Sequence, residues 1–270
     1  MPTPFCVRAA AWGLAVSAGL LCPMAGSMCS MAGAQDLKLR HFRTFESGEK
    51  SIYAFAVDSS ERLLAVGGAD SNVTVFDLAT SRQIRQWQLS QSAVVDLAFA
   101  AGRPLLVSAS YPNSLTLFDV EKGEQVWQTK CVSPPTRIAF SPDGKKIGVA
   151  SMVGRGMIYD ADDGSLLVGI KQSLPASNGV AFSRDGSEVF IGTTPMSGKS
   201  GQVQILRCSA VTGNVVREIG GYDGTLTRLR VSPGGSRLVS LGREGKLNAW
   251  DLAGDRLAQG WNLDVQRLMQ

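Results

Sequence analysis

Hydrophobic and polar positions alternate over short stretches for most of the chain, and turn residues punctuate them at nearly regular intervals, a pattern of strands rather than helices. Five segments end in an apolar-aromatic-acid trio or its remnant: Val75-Phe76-Asp77, Leu117-Phe118-Asp119, Ile158-Tyr159-Asp160, Ile205-Leu206-Arg207 and Ala249-Trp250-Asp251. Their spacings are 42, 41, 47 and 44 residues. Upstream of each trio an apolar residue precedes a turn, as in Phe140-Ser141-Pro142-Asp143-Gly144, Phe182-Ser183-Arg184-Asp185-Gly186 and Val231-Ser232-Pro233-Gly234-Gly235; Val57 and Phe99 hold the same place. From that residue to the end of the trio is 20 residues in four repeats and 25 in the fourth, so a single insertion explains the exception. A period of this length marks a repeat architecture.

Each repeat reads as four short strands, in the first about Ile52 to Val57, Leu63 to Gly67, Val73 to Asp77 and Gln83 to Gln88. The repeats span about 52–89, 93–130, 135–172, 176–219 and 225–263. Along the first strand of each, one face holds Phe55 and Val57, Leu97 and Phe99, Ile138 and Phe140, Val180 and Phe182, Leu229 and Val231, the expected packing face between neighbouring sheets. The opposite face carries Ala56, Ala98, Ala139 and Ala181 at one equivalent position, which suits a strand crowded against a central axis; Arg230 breaks the series. A lone four-stranded sheet leaves two faces and two edges open, and radial arrangement of such sheets answers both needs. The predicted fold is all-β, a β-propeller of about five four-stranded antiparallel blades.

The first 34 residues differ from the rest: no Asp or Glu, one cation (Arg8), and an apolar stretch from Ala9 to Leu21 too short to span a bilayer as a helix. With Ala32-Gly33-Ala34 after it, this segment reads as a signal peptide, residues 1–34, cut before Gln35. Residues 35–270 are then the propeller, without a transmembrane segment, exported to a periplasmic or extracellular space. Cys131 and Cys208 fall in different repeats, so no disulfide framework is expected. Mixed charge with a small basic excess carries no nucleic-acid signature.

The phrases AFSPDGKKIGVAS, GGADSNVTVFDL and LVSLGREGKLNAWDL resemble units of the WD-repeat (YVTN-like) family, and the resemblance covers about residues 37 to 263. It departs from that family's pattern in its hydrogen-bonding residues: only Asp70 fits the turn Asp clearly, Trp250 is the only Trp at its site, and His41 is the only His. The resemblance therefore points to a divergent bacterial-type exported member. Both Leu37 to Phe45 and Arg256 to Leu263 read as the outer strand of the last blade, so the chain is either a closed ring of five or a shortened relative of a larger propeller.

Candidate chemistry is sparse. Gly192 to Ser200 resembles a phosphate-binding loop, but the spacing is one residue too long and Gln202 to Leu206 reads as a strand where a helix is required. Asp160-Ala161-Asp162-Asp163-Gly164 starts like a calcium loop, yet Lys171 stands where the closing Glu belongs. One His leaves no multi-imidazole metal site, and neither a G-x-S-x-G elbow nor a C-x-x-C-H haem motif occurs. The stretch Phe118 to Trp127 resembles the repeat of quinone-cofactor dehydrogenases, and Trp127 is expected to pack in an outer strand.

Propellers usually bind through the loops of one rim, which here collects Asp70, Tyr111, Arg155, Lys199 and Arg243 from successive turns and Tyr222 from a connection. On the axis-facing side, Asp96, Arg137, Arg228 and Arg230 should point inward and pair across blades; the cationic excess makes Arg137, Arg228 and Arg230 candidate anion contacts. The expectation is a noncatalytic module without cofactor that presents its rim to an exported or cell-envelope protein. The competing class is a channel-centred enzyme of lactonase or quinone/metal-dependent dehydrogenase type.

Overall fold

Each repeat folds as a four-stranded antiparallel meander, because its apolar runs are only long enough for short strands and every run stops at a residue that turns the chain. The computed structural model describes residues 51–89, 93–153, 156–170, 176–194, 202–223, 225–242, 245–254 and 256–262. All lie in the second of the two units into which the chain divides, Ser47–Gln270. The first blade comprises β1 (Ile52–Val57), β2 (Leu63–Gly68), β3 (Asn72–Asp77) and β4 (Gln83–Gln88). The second comprises β5 (Val94–Phe99), β6 (Leu105–Ser110), β7 (Ser114–Asp119) and β8 (Glu124–Lys130), and the third β9 (Pro135–Phe140), β10 (Lys146–Ser151), β11 (Met157–Asp160) and β12 (Leu166–Gly169). The fourth comprises β13 (Ala176–Phe182), β14 (Glu188–Thr194), β15 (Gln202–Ser209) and β16 (Val215–Asp223), and the fifth β17 (Leu226–Val231), β18 (Arg237–Gly242), β19 (Lys246–Asp251) and β20 (Arg256–Asn262). In every blade the strands pair in chain order. The architecture is the expected all-β set of five four-stranded antiparallel sheets.

The acid of each trio has a local job. Asp77 Oδ1 accepts from the Thr80 amide at 2.7 Å, Asp119 Oδ1 from Lys122 at 2.9 Å, Asp160 Oδ1 from Asp162 at 2.7 Å and Asp251 Oδ1 from Ala253 at 3.0 Å, so the side chain closes the turn that ends the third strand. Arg207, where the fourth blade lacks the acid, pairs instead with Glu188 on the neighbouring strand at 2.9 Å. At the first hairpins of the third and fourth blades, the hydroxyls of Ser141 and Ser183 donate to Asp143 and Asp185. Those hydrogen bonds hold both carboxyls below the usual carboxylate range, Asp185 at about 2.

The core is divided among the blade interfaces. Ala54, Ala65 and Val75 of the first blade form one buried apolar cluster with Leu97, Leu106 and Phe118 of the second. A second cluster joins Leu115 and Leu117 to Ile138, Val149 and Tyr159; a third joins Ile158 to Val180, Ile191 and Leu206; a fourth joins Phe190 and Ile205 to Leu229 and Trp250. Outer strands add ties: Trp87 Nε1 donates to Gly123 O at 3.1 Å and Trp127 Nε1 to Ala161 O at 3.0 Å, each reaching the next blade.

Inner strands pack in sequence, β1 on β5, β5 on β9, β9 on β13 and β13 on β17, and no comparable packing returns from β17 to β1 among the described residues. On the face that β1 shares in type with its counterparts, Phe55 and Val57 are 53% and 40% exposed, although their cross-strand partners Val66 and Leu64 are buried. Leu97, Ile138, Val180 and Leu229, at the position of Phe55, are all buried. β20 holds the outer position of the fifth blade, while residues 37–45, the other claimant, lie outside the described residues.

Candidate functional site: the rim and the axis

Each inner strand carries an irregularity at the same place. Pairing skips a residue between Ile52 and Ala54, Val94 and Asp96, Pro135 and Arg137, Ser177 and Gly179, and Leu226 and Arg228. A bulge leaves its extra residue out of the ladder and re-aims the side chains that follow. Those are Ala54, Asp96, Arg137, Gly179 and Arg228, one layer of equivalent positions near the rim end of the strands. The next equivalent layer is Ala56, Ala98, Ala139, Ala181 and Arg230. The small residues of both layers leave room for the long ones.

The long ones meet across the axis. Arg228 of the fifth blade stands 3.6 Å from Asp96 of the second. Arg137 of the third donates from Nε to Thr227 O at 3.2 Å, and Arg228 donates to the same oxygen at 3.4 Å. Asp96 also accepts from the Ile138 amide at 2.9 Å. Burial pushes its carboxyl above the usual carboxylate range, against the pull of Arg228, the Ile138 amide and Arg230. Arg230 reaches solvent, but surrounding protein weakens its charged form, Asp96 favours it and Arg228 opposes it.

The rim above this layer is apolar over two blades. Tyr111, Val132, Met152 and Val153 are 52%, 66%, 55% and 67% exposed. Backbone hydrogen bonds link the segments that carry them: the Cys131 amide to Asn113 O at 2.7 Å, and the Met152 amide to Pro134 O at 2.9 Å. Asn113 Nδ2 also donates to Cys131 O at 3.3 Å. Of the six rim residues expected from sequence, Tyr111 is exposed and Asp70 half-buried at this end. The backbone of Tyr222 pairs with Val203 in β16, and Arg155, Lys199 and Arg243 lie outside the described residues. Val132, Met152 and Val153 were legible only as apolar residues falling outside the strand alternation.

Elsewhere the chemistry is closed off. A groove of about 580 Å³ between the fourth and fifth blades is lined by Glu188 and Arg207, which satisfy each other, while Arg207 also donates to Leu252 O at 3.3 Å. The segment resembling a phosphate loop runs from β14 into strand β15, with residues 195–201 between them outside the described residues. The calcium-like run is the turn between β11 and β12, where Asp162 pairs with Arg103 at 2.7 Å. Cys131 and Cys208 are free and buried, and burial pushes their thiols up to about 11 and about 12. Among the described residues no group of three or more His, Cys, Asp and Glu side chains could hold a metal ion, and no helix is long and apolar enough to cross a membrane.

Comparison with known proteins bears on this arrangement. The family model described as WD domain, G-beta repeat matches residues 39–77. Similar proteins include the Periodic tryptophan protein 2 homolog of Dictyostelium discoideum, 32% identical over 46% of this chain and 14% of that protein. The mouse homolog is 28% identical over 47% of this chain and 14% of its own length. An uncharacterized WD repeat-containing protein of Synechocystis is 30% identical over 52% of this chain and 41% of its own. The chain is similar to WD-repeat proteins. It matches only about a seventh of the length of the Periodic tryptophan protein 2 relatives.

These relatives correct one part of the sequence reading. The expected divergent bacterial-type exported member gives way to a chain whose relatives include Periodic tryptophan protein 2 from a slime mould, a mammal and fungi. The periplasmic or extracellular localisation, the secreted character and the cell-envelope partner are withdrawn with it. The physical reason is the weakness of the signal: an apolar stretch without acids, followed by small residues, reports local composition and not what reads it. Residues 1–34, with the cut before Gln35, lie outside the described residues.

Proposed function

We propose that the chain is a noncatalytic protein-interaction scaffold that engages a protein partner through the rim of its second and third blades. The observation that carries this is the run of exposed Tyr111, Val132, Met152 and Val153 on connected segments at one end of the blades. Apolar side chains on loops held by rigid sheets provide desolvation without a cost of ordering the scaffold, and aromatic anchors concentrate binding energy. Asp70 and Tyr111, from successive turns of the same rim, belong to this surface in the proposal. The alternative of a channel-centred enzyme has no observation of its own in its favour.

A photocrosslinking amino acid at position 111 of the full chain in cells, with the same group at Val126 on an outer strand as control, tests the reading. Discrete protein adducts from position 111 that disappear in the Met152→Asp/Val153→Asp double variant are expected. Equal adducts from position 126, or adducts from position 111 that survive the double variant, would overturn it.

A further inference from the structure

The five inner strands contain four charged residues in all: Asp96, Arg137, Arg228 and Arg230. Every one lies in the two axis-facing layers, and three cations against one carboxylate leave two positive charges unmatched there. Their side chains converge. Arg137 and Arg228 share Thr227 O as acceptor, Arg228 is paired with Asp96, and Arg230 interacts electrostatically with both Asp96 and Arg228. A guanidinium carries more donors than these bonds occupy. The remaining members of the two layers are Ala or Gly, so these strand positions place no other large side chain beside the three heads.

We propose that Arg137, Arg228 and Arg230 form an anion site at the axis beneath the rim, suited to a tetrahedral phosphate dianion. The charge matches, and the fork geometry of Arg suits phosphate oxygens. The desolvation that weakens Arg230's charged form is relieved when an anion arrives, because repulsion between Arg228 and Arg230 becomes attraction of both to one ligand. Asp96 is the opposing member: it orients Arg228 and competes with the ligand for it. The site is independent of the rim reading and needs no partner protein.

The test is titration of the purified full chain with inorganic phosphate at neutral pH by calorimetry, with sodium chloride at matched ionic strength as reference. One phosphate per chain is expected, weakened at least tenfold by Arg228→Gln and by Arg230→Gln. Asp96→Asn is expected to tighten binding severalfold, because it removes the competing carboxylate while keeping an oxygen for the Ile138 amide. That increase is not expected of residues with a merely structural role. Circular dichroism establishes that each variant is folded; should Arg228→Gln fail to fold, Arg230→Gln and Asp96→Asn carry the test. Heats no larger than those with chloride, or affinity unchanged in Asp96→Asn, would overturn the proposal.

Discussion

The first and third blades have the same strands in the same order, yet they solve different packing problems. The third blade is covered on both sides, by clusters shared with the second and with the fourth. The first shares a cluster with the second, and on its other face Phe55 and Val57 of β1 are exposed although their cross-strand partners Val66 and Leu64 are buried. Turn chemistry follows this difference. Gly164 in the third blade, at φ 74°, lies under the Trp127 ring of the second, and a Cβ there would stand 2.9 Å from ring carbons. The equivalent residue in the first blade is Ser81, at φ 59°. Glu61 and Ser71 are the other non-Gly residues at positive φ among the described residues, and they too belong to the first blade. A left-handed backbone tolerates a side chain at modest cost, but a turn overlaid by a neighbour does not. At this turn, where Gly123, Gly164 and Gly213 lie against Arg85, Trp127 and Val168, glycine therefore records coverage by the preceding blade as well as backbone shape.

The sharpest way to break the comparison is to truncate a large side chain on each kind of surface. Phe118, fully buried and stacked on Trp87 with centroids 4.5 Å apart, should cost about 3–5 kcal/mol as Phe118→Ala in urea denaturation. Phe55→Ala should shift stability by no more than about 0.5 kcal/mol. A comparable loss from Phe55→Ala would mean that its face is covered in solution.

The turns come next. Gly164→Ala should lose about 1–3 kcal/mol, because strain and the Trp127 overlap act together. Ser81→Ala, with a similar backbone and no preceding blade among the described residues, should stay within about 0.5 kcal/mol in the same denaturation assay. Equal losses at both positions would show that coverage is irrelevant.

Smaller effects separate the fifth blade from the second. Trp250 Nε1 donates to Ser240 Oγ at 3.0 Å; Phe118 stands at the position of Trp250, and Ser108 at that of Ser240 makes no hydrogen bond through its hydroxyl. Ser240→Ala should cost about 1 kcal/mol and Ser108→Ala should be neutral or stabilising by a similar amount, read from thermal melts.

The last contrast is one of pH. The folded-state pKa of Asp96 is raised above 3.8, so between 3.8 and the raised value the folded chain binds the proton more tightly than the unfolded chain. The stability of the parent relative to Asp96→Asn should consequently fall as pH rises through that window. Carboxyls held low, such as Asp143 and Asp185, act in the opposite direction but cancel in the difference. Parallel stability–pH curves for the two proteins would show that Asp96 titrates normally.

Much of the fold was legible because its determinants are side chains. The Asp ending each trio marks the turn that its own carboxylate closes, and the Ala series marks the axis-facing side. The bulges were not legible: Tyr53, Val95, Thr136, Asn178 and Thr227 have no one residue type in common, because the irregularity belongs to the backbone. Placement of the charged residues on the inward face was readable from alternation, whereas the meeting of Arg137 and Arg228 on Thr227 O required the curvature of the assembled blades. The rim was readable at Tyr111 and not at Val132 or Met152, since a solitary apolar residue beside a strand looks the same in sequence whether it turns inward or outward.

Among the described residues the inner strands pack in sequence from β1 to β17, while Arg228 of the fifth blade meets Asp96 of the second and Arg137 of the third meets Thr227 of the fifth, so the later blades are tied across the axis as well as to their neighbours. In a repeat array a unit held by fewer contacts opens before those held by more. Among the described residues the first blade shares a cluster with the second alone and takes no part in the contacts across the axis, so it is the blade expected to open first, and the second and third are held longer. The apolar rim is carried by that most persistent part of the array, so its shape should outlast the partial opening of the blade beside it.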